Sequence, residues 1–232
     1  MSTIKHVSLD AWNTILIPNT QFAIRRSHIL SQAFSCSPEF AAKVYTSVKR
    51  RLDKHAEETG EGYATEYVYN ELLAAFPRHL NVDIEELRVL HIENEFLNSP
   101  PSVLEETKKA IRSLKDRGIT VSISSNTNFI SGRILGRFLQ EQVGNFDFML
   151  FSDTMQMAHS AKSGWFIPAK PSHSFFSAVA KYSSVLHPEI SAENILHIGD
   201  NEICDYNGAK SYGFQAKLLP SVNDLPEMLM RI

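Results

Sequence analysis

The chain has 232 residues, enough for one large domain or for a core carrying a smaller inserted one. Hydrophobic residues make up 43% and charged residues 21%, the balance of an ordinary soluble globular protein. The formal net charge of −3 excludes the basic field that draws nucleic acid or an anionic membrane, so an anionic substrate would have to be met by local groups.

Only Cys36 and Cys204 are present, far apart and in different contexts, which suits a reducing compartment better than a disulfide framework. The opening residues contain no apolar core of a leader, and no apolar run approaches the ~18 residues of a membrane span. The expectation is a cytoplasmic protein, monomer or homodimer, with no nucleic-acid or membrane partner.

In chain order, the apolar run from Ile4 to Leu9 reads as a buried parallel strand stopping at Asp10. The carboxyl end of such a strand is where open α/β sheets place their chemistry. After Thr14 the pattern turns helical. Phe40, Val44, Tyr45, Val48 and Leu52 recur at helical spacing, as do Tyr69, Leu72, Leu73 and Phe76, and a third helix is expected from Asp83 towards Leu97. Pro18 opens this stretch and Ser99-Pro100-Pro101 closes it, which predicts an inserted all-helical domain over 18–100 and a core over 1–17 and 101–232. Thr59-Gly60-Glu61-Gly62 reads as a turn between helices, either solvated or reaching the site. Arg25 and Arg26 lie on the first helix, either on an exposed face or facing an anion.

From Ser102 strands and helices alternate. Ser102 to Glu105 has the form of a capping box, and Val103, Thr107, Ala110, Ile111 and Leu114 make an inward stripe ending near Gly118. A strand from Ile119 to Ser125 follows, then a helix over 130–142, a strand over 146–151, a helix over 172–185, a strand over 195–198 and a last strand over 216–219. This alternation predicts right-handed crossovers and a parallel sheet covered on both faces.

Four stretches carry the chemistry. Asp10 ends the first strand, and Ser125-Asn126 ends the second. Lys170-Pro171 opens an amphipathic segment, and Gly199-Asp200 ends a later strand with Asp205 beyond it. Asp, Ser, Lys and a Gly-Asp-x4-Asp pair, each at a strand end or a helix start, resemble the haloacid dehalogenase-like hydrolase superfamily, whose motifs come in this order. The resemblance covers about Lys5 to Thr14 and Ser102 to Leu219; its most specific part is Gly199 to Asp205 with Asn207-Gly208-Ala209-Lys210 and Gly213. It implies a Rossmann-like three-layer α/β core and makes the helical insertion a C1-type cap that sets substrate choice. Relatives pass almost directly from the third strand to Lys-Pro, so His159 to Ala169 reads as an inserted loop, with Trp165 and Phe166 expected to pack on the cap, the substrate or another subunit.

Carboxylates that converge in a partly desolvated crevice repel one another unless cations hold them ionised. Asp10, Asp200 and Asp205 therefore imply a cation beyond Lys170, and hard oxygen ligands suit Mg²⁺. By resemblance, Asp10 and Asp200 bind Mg²⁺ directly with the Trp12 carbonyl, and Asp205 holds a bound water or orients the loop. Asp10 would attack a phosphorus held by Lys170, Ser125 and backbone N–H groups near Ala11 and Asn126, giving an aspartyl-phosphate that water hydrolyses.

One position departs from the pattern. Phosphatases of the superfamily carry a second Asp two residues after the nucleophile; here that residue is Trp12, and the usual Gly after it is Asn13. An indole offers one N–H and cannot exchange a proton, and general acid–base catalysis is typically worth ~10²–10⁴-fold. His159, His173 and Glu202 are candidate substitutes, Lys162 is a rival to Lys170, and Cys204 reads as a small packed residue. Three readings stay open: a Mg²⁺-dependent phosphatase or phosphotransferase with altered acid–base chemistry, a 2-haloacid dehalogenase, and a ligand- or partner-binding relative without turnover. An aromatic residue at position 12 and a helical cap suit the dehalogenase; the retained Gly199-Asp200 and Asp205 oppose it.

Overall fold

The computed structural model describes residues 3–77, 82–144, 146–157 and 166–232. Strand β1 is His6–Leu9, followed by helices α1 (Thr20–Phe34) and α2 (Pro38–Thr59), the short strand β2 (Glu61–Tyr63) and α3 (Thr65–Ala74). A helical rod then runs as α4 (Ile84–Glu86), a wide π-type turn at Leu87–Glu93 and α5 (Asn94–Asn98). The remainder alternates: α6 (Glu105–Asp116), β3 (Thr120–Ser125), α7 (Gly132–Gln142), β4 (Phe148–Phe151), β5 (Phe166–Pro168), α8 (His173–Leu186), β6 (Ile195–Gly199), α9 (Gly208–Tyr212), β7 (Gln215–Leu218) and α10 (Leu225–Met230).

Five strands form one sheet in the order β4-β3-β1-β6-β7, with every pair parallel. Strand β1 is central, with His6 beside Thr120 on one neighbour and Ile195 on the other. Side chains alternate across a strand, and here the two faces differ. Val7, Leu9, Val121, Ile123, Leu196 and Ile198 share a core with Ala110, Ile111 and Leu114 of α6 and with Leu225 and Leu229 of α10. Ile195 packs in a second core with Phe175, Phe176 and Val179 of α8 and Ala209 of α9. Helices thus cover both faces in an α/β, Rossmann-like fold.

The alternate positions of the central strands are polar although fully buried. His6 meets Thr120 and Ser122 through its two ring nitrogens at 2.7 and 2.8 Å, and Ser8 meets His197 Nδ1 at 2.9 Å. Buried polar atoms cost free energy unless paired, and these pairs make the run Ile4–Leu9 tolerable as a strand although it is not uniformly apolar.

The helices between β1 and β3 contribute to the larger core. Phe34 stacks on Phe76 at 3.8 Å between ring centroids, and Phe96 meets Phe22, Trp12 and Phe138 edge-on at 5.7, 6.1 and 5.6 Å. Helix α2 is well bounded, with Pro38 in its first turn, the Ser37 side chain accepting from the Phe40 N–H, and Gly60 closing it at φ 71°. The chain leaves and re-enters side by side: Ile17 and Ser102 exchange backbone hydrogen bonds of 2.9 and 3.0 Å.

Three expectations change. Ser102 does not cap α6, which starts at Glu105 after Leu104 without a side-chain cap, because Ser102 is engaged by Ile17. Residues 61–63 are not a solvated turn; they pair antiparallel with Phe166–Pro168. The third helix is not uniform, since the π-type turn divides it. His159, Lys162 and Trp165 lie outside the described residues. Phe166 lies inside them, against Tyr63 and His55 at 5.2 and 5.7 Å.

Candidate functional site

The carboxyl ends of β1, β3 and β6 meet at one edge of the sheet, and each delivers a residue there. Asp10 follows β1, its N–H bonded to the Ile198 carbonyl at 3.0 Å. Ser125 is the last residue of β3 and 1% exposed. Asp200 follows β6, and Asp205 returns to the same point from the helical turn Glu202–Asn207.

Lys170 joins them. The residue is 1% exposed, and its ammonium donates to Asp10 Oδ1 at 2.7 Å and to Asp205 Oδ1 at 2.5 Å. Its backbone is clamped by Asn126, whose Oδ1 accepts from the Lys170 N–H at 2.8 Å while Nδ2 donates to the Lys170 carbonyl at 2.9 Å. The side chain of Asn126 therefore positions Lys170. Ala11 is fully buried, and its carbonyl accepts from the N–H groups of Ile15 and Leu16 at 3.0 and 2.9 Å, which tightens the loop after β1.

Asp205 is held on several sides. His197 Nε2 lies 3.1 Å from Oδ1, and the Asn201 N–H donates to Oδ2 at 3.0 Å. Burial lowers the pKa of His197, so the neutral ring donates from Nε2 and accepts from Ser8 at Nδ1. Gly199 is required by contact: a Cβ there would stand 2.2 Å from the Asp205 carboxyl carbon.

The charges are unequal. Burial would raise the Asp205 carboxyl, but Lys170 and His197 hold it below the usual carboxylate range. Burial raises Asp10, opposed by Lys170 and reinforced by the negative charge of Asp205. Burial would likewise lower the Lys170 ammonium, yet Asp10 and Asp205 together hold it above its ordinary value. Asp200, although much of the residue faces solvent, is pushed up to about 6, first by burial of its inner side and then by Asp10 and Asp205. Three carboxylates thus converge beside one ammonium that meets only Asp10 and Asp205, an excess of negative charge that one divalent cation would cancel. One oxygen from each of Asp10, Asp200 and Asp205 lies within 4.8 Å of the others. Oxygen-only donors at this spacing fit a hard cation such as Mg²⁺.

Asn13 occupies the left-handed region at φ 53°, a conformation Asn tolerates better than most residues. Its Nδ2 donates to Asp200 Oδ2 at 3.2 Å, tying the first motif to the last. Trp12 is half-buried, packs edge-on against Phe96 and lines the cavity in front of Asp10. That cavity, about 580 Å³, runs between the sheet edge and helices α1 and α2, which present Arg26, Tyr45, Lys49, Asp53 and Glu57 to it.

Of the expected acid–base substitutes, His173 bonds to Ser211 and is exposed, Glu202 is exposed, and neither lines the cavity. Cys204 is a packed residue as expected, its thiol pushed up to about 12 by burial and donating to the Lys170 carbonyl. Arg25 faces outward and pairs with Glu95 at 3.3 Å. Sequence reasoning missed Asn13, His197, Asn201 and Glu57. Glu57 Oε1 accepts from Asn201 Nδ2 at 2.7 Å, a contact between α2 and the loop after β6. A histidine inside an apolar strand was the one available signal, at His197.

A family model of the haloacid dehalogenase-like hydrolases matches residues 4–213. The human haloacid dehalogenase-like hydrolase domain-containing protein 3 is 28% identical over 118 residues, 50% of this chain and 39% of that protein. The chain therefore matches well under half of that relative's length. The HAD-hydrolase YfnB from Bacillus subtilis, whose structure is described as bound to magnesium, superposes with a TM-score of 0.67 at 17% identity, covering 100% of both chains. A HAD phosphatase from Thermococcus onnurineus gives 0.63 at 17% identity, covering 97% of this chain and 98% of that one. Haloacid dehalogenases share the fold at TM-scores of 0.57 to 0.58. At these identities the structural likeness is one of fold.

Proposed function

The chain belongs to the haloacid dehalogenase-like hydrolases, and within them we propose a Mg²⁺-dependent phosphatase or phosphotransferase that acts on a small phosphorylated metabolite through Asp10. The observation that carries this reading is the convergence of Asp10, Asp200 and Asp205, two of which, Asp10 and Asp205, meet the Lys170 ammonium. A dehalogenase displaces halide from carbon and needs no cation, so a chain built for that reaction would have no use for three converging carboxylates.

Asp10, Asp200 and Asp205 are the residues that would hold Mg²⁺, with the Trp12 carbonyl as a further oxygen. Bound there, the ion supplies charge neutralisation for the transferring phosphoryl group. The chain does the rest. Lys170 sets the Asp10 carboxylate in place through its 2.7 Å contact and offers positive charge to the phosphoryl oxygens. Asp10 attacks phosphorus, the bond to the leaving oxygen breaks, and the phosphoryl group stays on the Asp10 carboxylate. Water then releases phosphate and regenerates the carboxylate.

Trp12 cannot deliver a proton to the leaving oxygen or take one from water. Asp53 and Glu57 are the carboxylates lining the cavity apart from the trio. Asp53 is occupied by Lys49 and by Asn128, at 2.5 and 2.7 Å. Glu57, met among the described residues by Asn201 alone, is in our reading the base for the water step. The first step then proceeds without an acid, which favours leaving groups that depart as stable anions.

Helices α1–α5 would act as the cap over this chemistry, with the Ile17–Ser102 bridge as the base on which it moves. The test of the whole reading is phosphate release from a panel of phosphomonoesters, in Mg²⁺ and in chelator. Turnover only with Mg²⁺ supports it. Ligand binding without any phosphate release would favour the non-catalytic relative, a reading to which Trp12 itself lends weight.

A further inference from the structure

The wall of the cavity opposite the sheet carries a cation that no carboxylate answers among the described residues. Arg26 on α1 is half-buried and lines the same cavity as Asp10, Ser125 and Lys170. Its guanidinium carbon lies 3.5 Å from the ring centroid of Tyr45 and 5.3 Å from that of Phe22, so two aromatic side chains fix its position. Its Nε is buried with no hydrogen-bond partner, and among the described residues no carboxylate reaches it.

The neighbouring cations differ. Arg25 pairs with Glu95, Lys49 with Asp53, Arg51 with Glu71, and Arg88 with Glu85 and Glu93. These bases have carboxylate partners, and bases without one, such as Lys43 and Arg50, are exposed to water, while Arg26, half-buried and facing the cavity, has none among the described residues. A partly desolvated guanidinium without a counter-ion is costly. Its planar fork of N–H donors, held by the rings, matches a carboxylate or a phosphate. Lys49 also lines the cavity, but Asp53 meets its charge.

We propose that Arg26 binds a second anionic group on the substrate, a carboxylate or a phosphate, and so selects phosphomonoesters with an acidic tail over those with a neutral one. This rests on the phosphatase reading, with one anion at Asp10 and Lys170 and the other at Arg26. A cavity of about 580 Å³ has room for a small metabolite that spans both.

The experiment compares propyl phosphate, 3-phosphopropionate and 1,3-propanediol bisphosphate on the wild type, Arg26→Met and Arg26→Lys. Arg26→Met keeps an apolar stem against Tyr45, and circular dichroism checks that each variant is folded. The expected result is a KM for the acid-tailed esters that rises about 10–100-fold in Arg26→Met and less in Arg26→Lys, while propyl phosphate changes about tenfold less. Preference for the carboxylate or the bisphosphate names the second anion. Equal kcat/KM for neutral and acidic tails in the wild type overturns the proposal, as does an equal loss on both in Arg26→Met. Calorimetry with 3-phosphonopropionate, whose C–P bond is not a phosphate ester, separates the two readings. Binding weakened by Arg26→Met in a protein that releases no phosphate from any ester upholds the second anion site and removes the phosphatase. Binding that Arg26→Met leaves unchanged removes the anion site whatever the turnover.

Discussion

Lys170 Nζ lies 2.5 Å from Asp205 Oδ1, and both residues are almost wholly withdrawn from solvent. The same ammonium serves Asp10, so one charge positions the proposed nucleophile and the carboxylate behind it. Breaking a buried ion pair by removing one partner strands the other.

Lys170→Met should therefore lose phosphate release entirely and lower the stability by about 3–5 kcal/mol in chelator. Part of that loss should return in Mg²⁺, since a divalent cation can neutralise the stranded carboxylates. Urea unfolding with and without Mg²⁺ measures both effects; a variant as stable as the wild type in chelator would contradict the geometry.

Gly199→Ala tests the close approach of β6 to Asp205. A Cβ 2.2 Å from the Asp205 carboxyl carbon must displace that carboxylate or the strand. The expected cost is about 1–3 kcal/mol from overpacking, with Mg²⁺ affinity, followed by calorimetry, falling as well.

Stability should also depend on pH through His6, which is fully buried and has its pKa lowered from 6.5 to about 4, chiefly by that burial. Between these values the unfolded chain takes up a proton that the folded chain refuses. The stabilisation is therefore full above pH 6.5 and declines as pH falls towards 4, by at most about 1.4 kcal/mol per pH unit. His6→Asn should flatten that part of the profile in urea titrations; an unchanged slope would assign the decline to other groups.

Trp12→Asp restores the carboxylate that phosphatases of the family carry. On alkyl phosphates its kcat should rise by about 10²–10⁴-fold, while an activated aryl phosphate should gain little, because its leaving group needs no acid. The indole's contact with Phe96 is lost, so a modest fall in Tm should accompany the gain. With Trp12 in place, Glu57→Gln should leave the initial burst of phenol from an activated aryl phosphate nearly unchanged while slowing the steady phosphate release that follows it. A burst slowed as much as the later step would deny Glu57 its place in the water step.

The sheet and its motifs were legible because each depends on neighbours in sequence. Asp10, Ser125, Lys170 and Asp200 follow apolar runs, and the parallel sheet brings such ends together. What escaped depends on distances the chain closes only in space. Strands β2 and β5 have three residues each, too few for alternation to register. Ser102 had the sequence of a cap, but Ile17, far away in the chain, claimed its backbone. Asn13, in the place of a glycine, gave no hint that its amide would reach Asp200, and Arg26 looked like Arg25 until Glu95 was found beside only one of them.

The central claim is that Asp10 takes the phosphoryl group. Its most direct measurement is rapid-quench mass analysis of the Asp10 peptide during turnover of an activated aryl phosphate, in Mg²⁺ and in chelator. The account predicts a phosphorylated Asp10 that forms only with Mg²⁺, accumulates with a burst of phenol because the water step is the slower one, and is absent in Asp10→Asn. Steady phenol release from Asp10→Asn at the wild-type rate would contradict it.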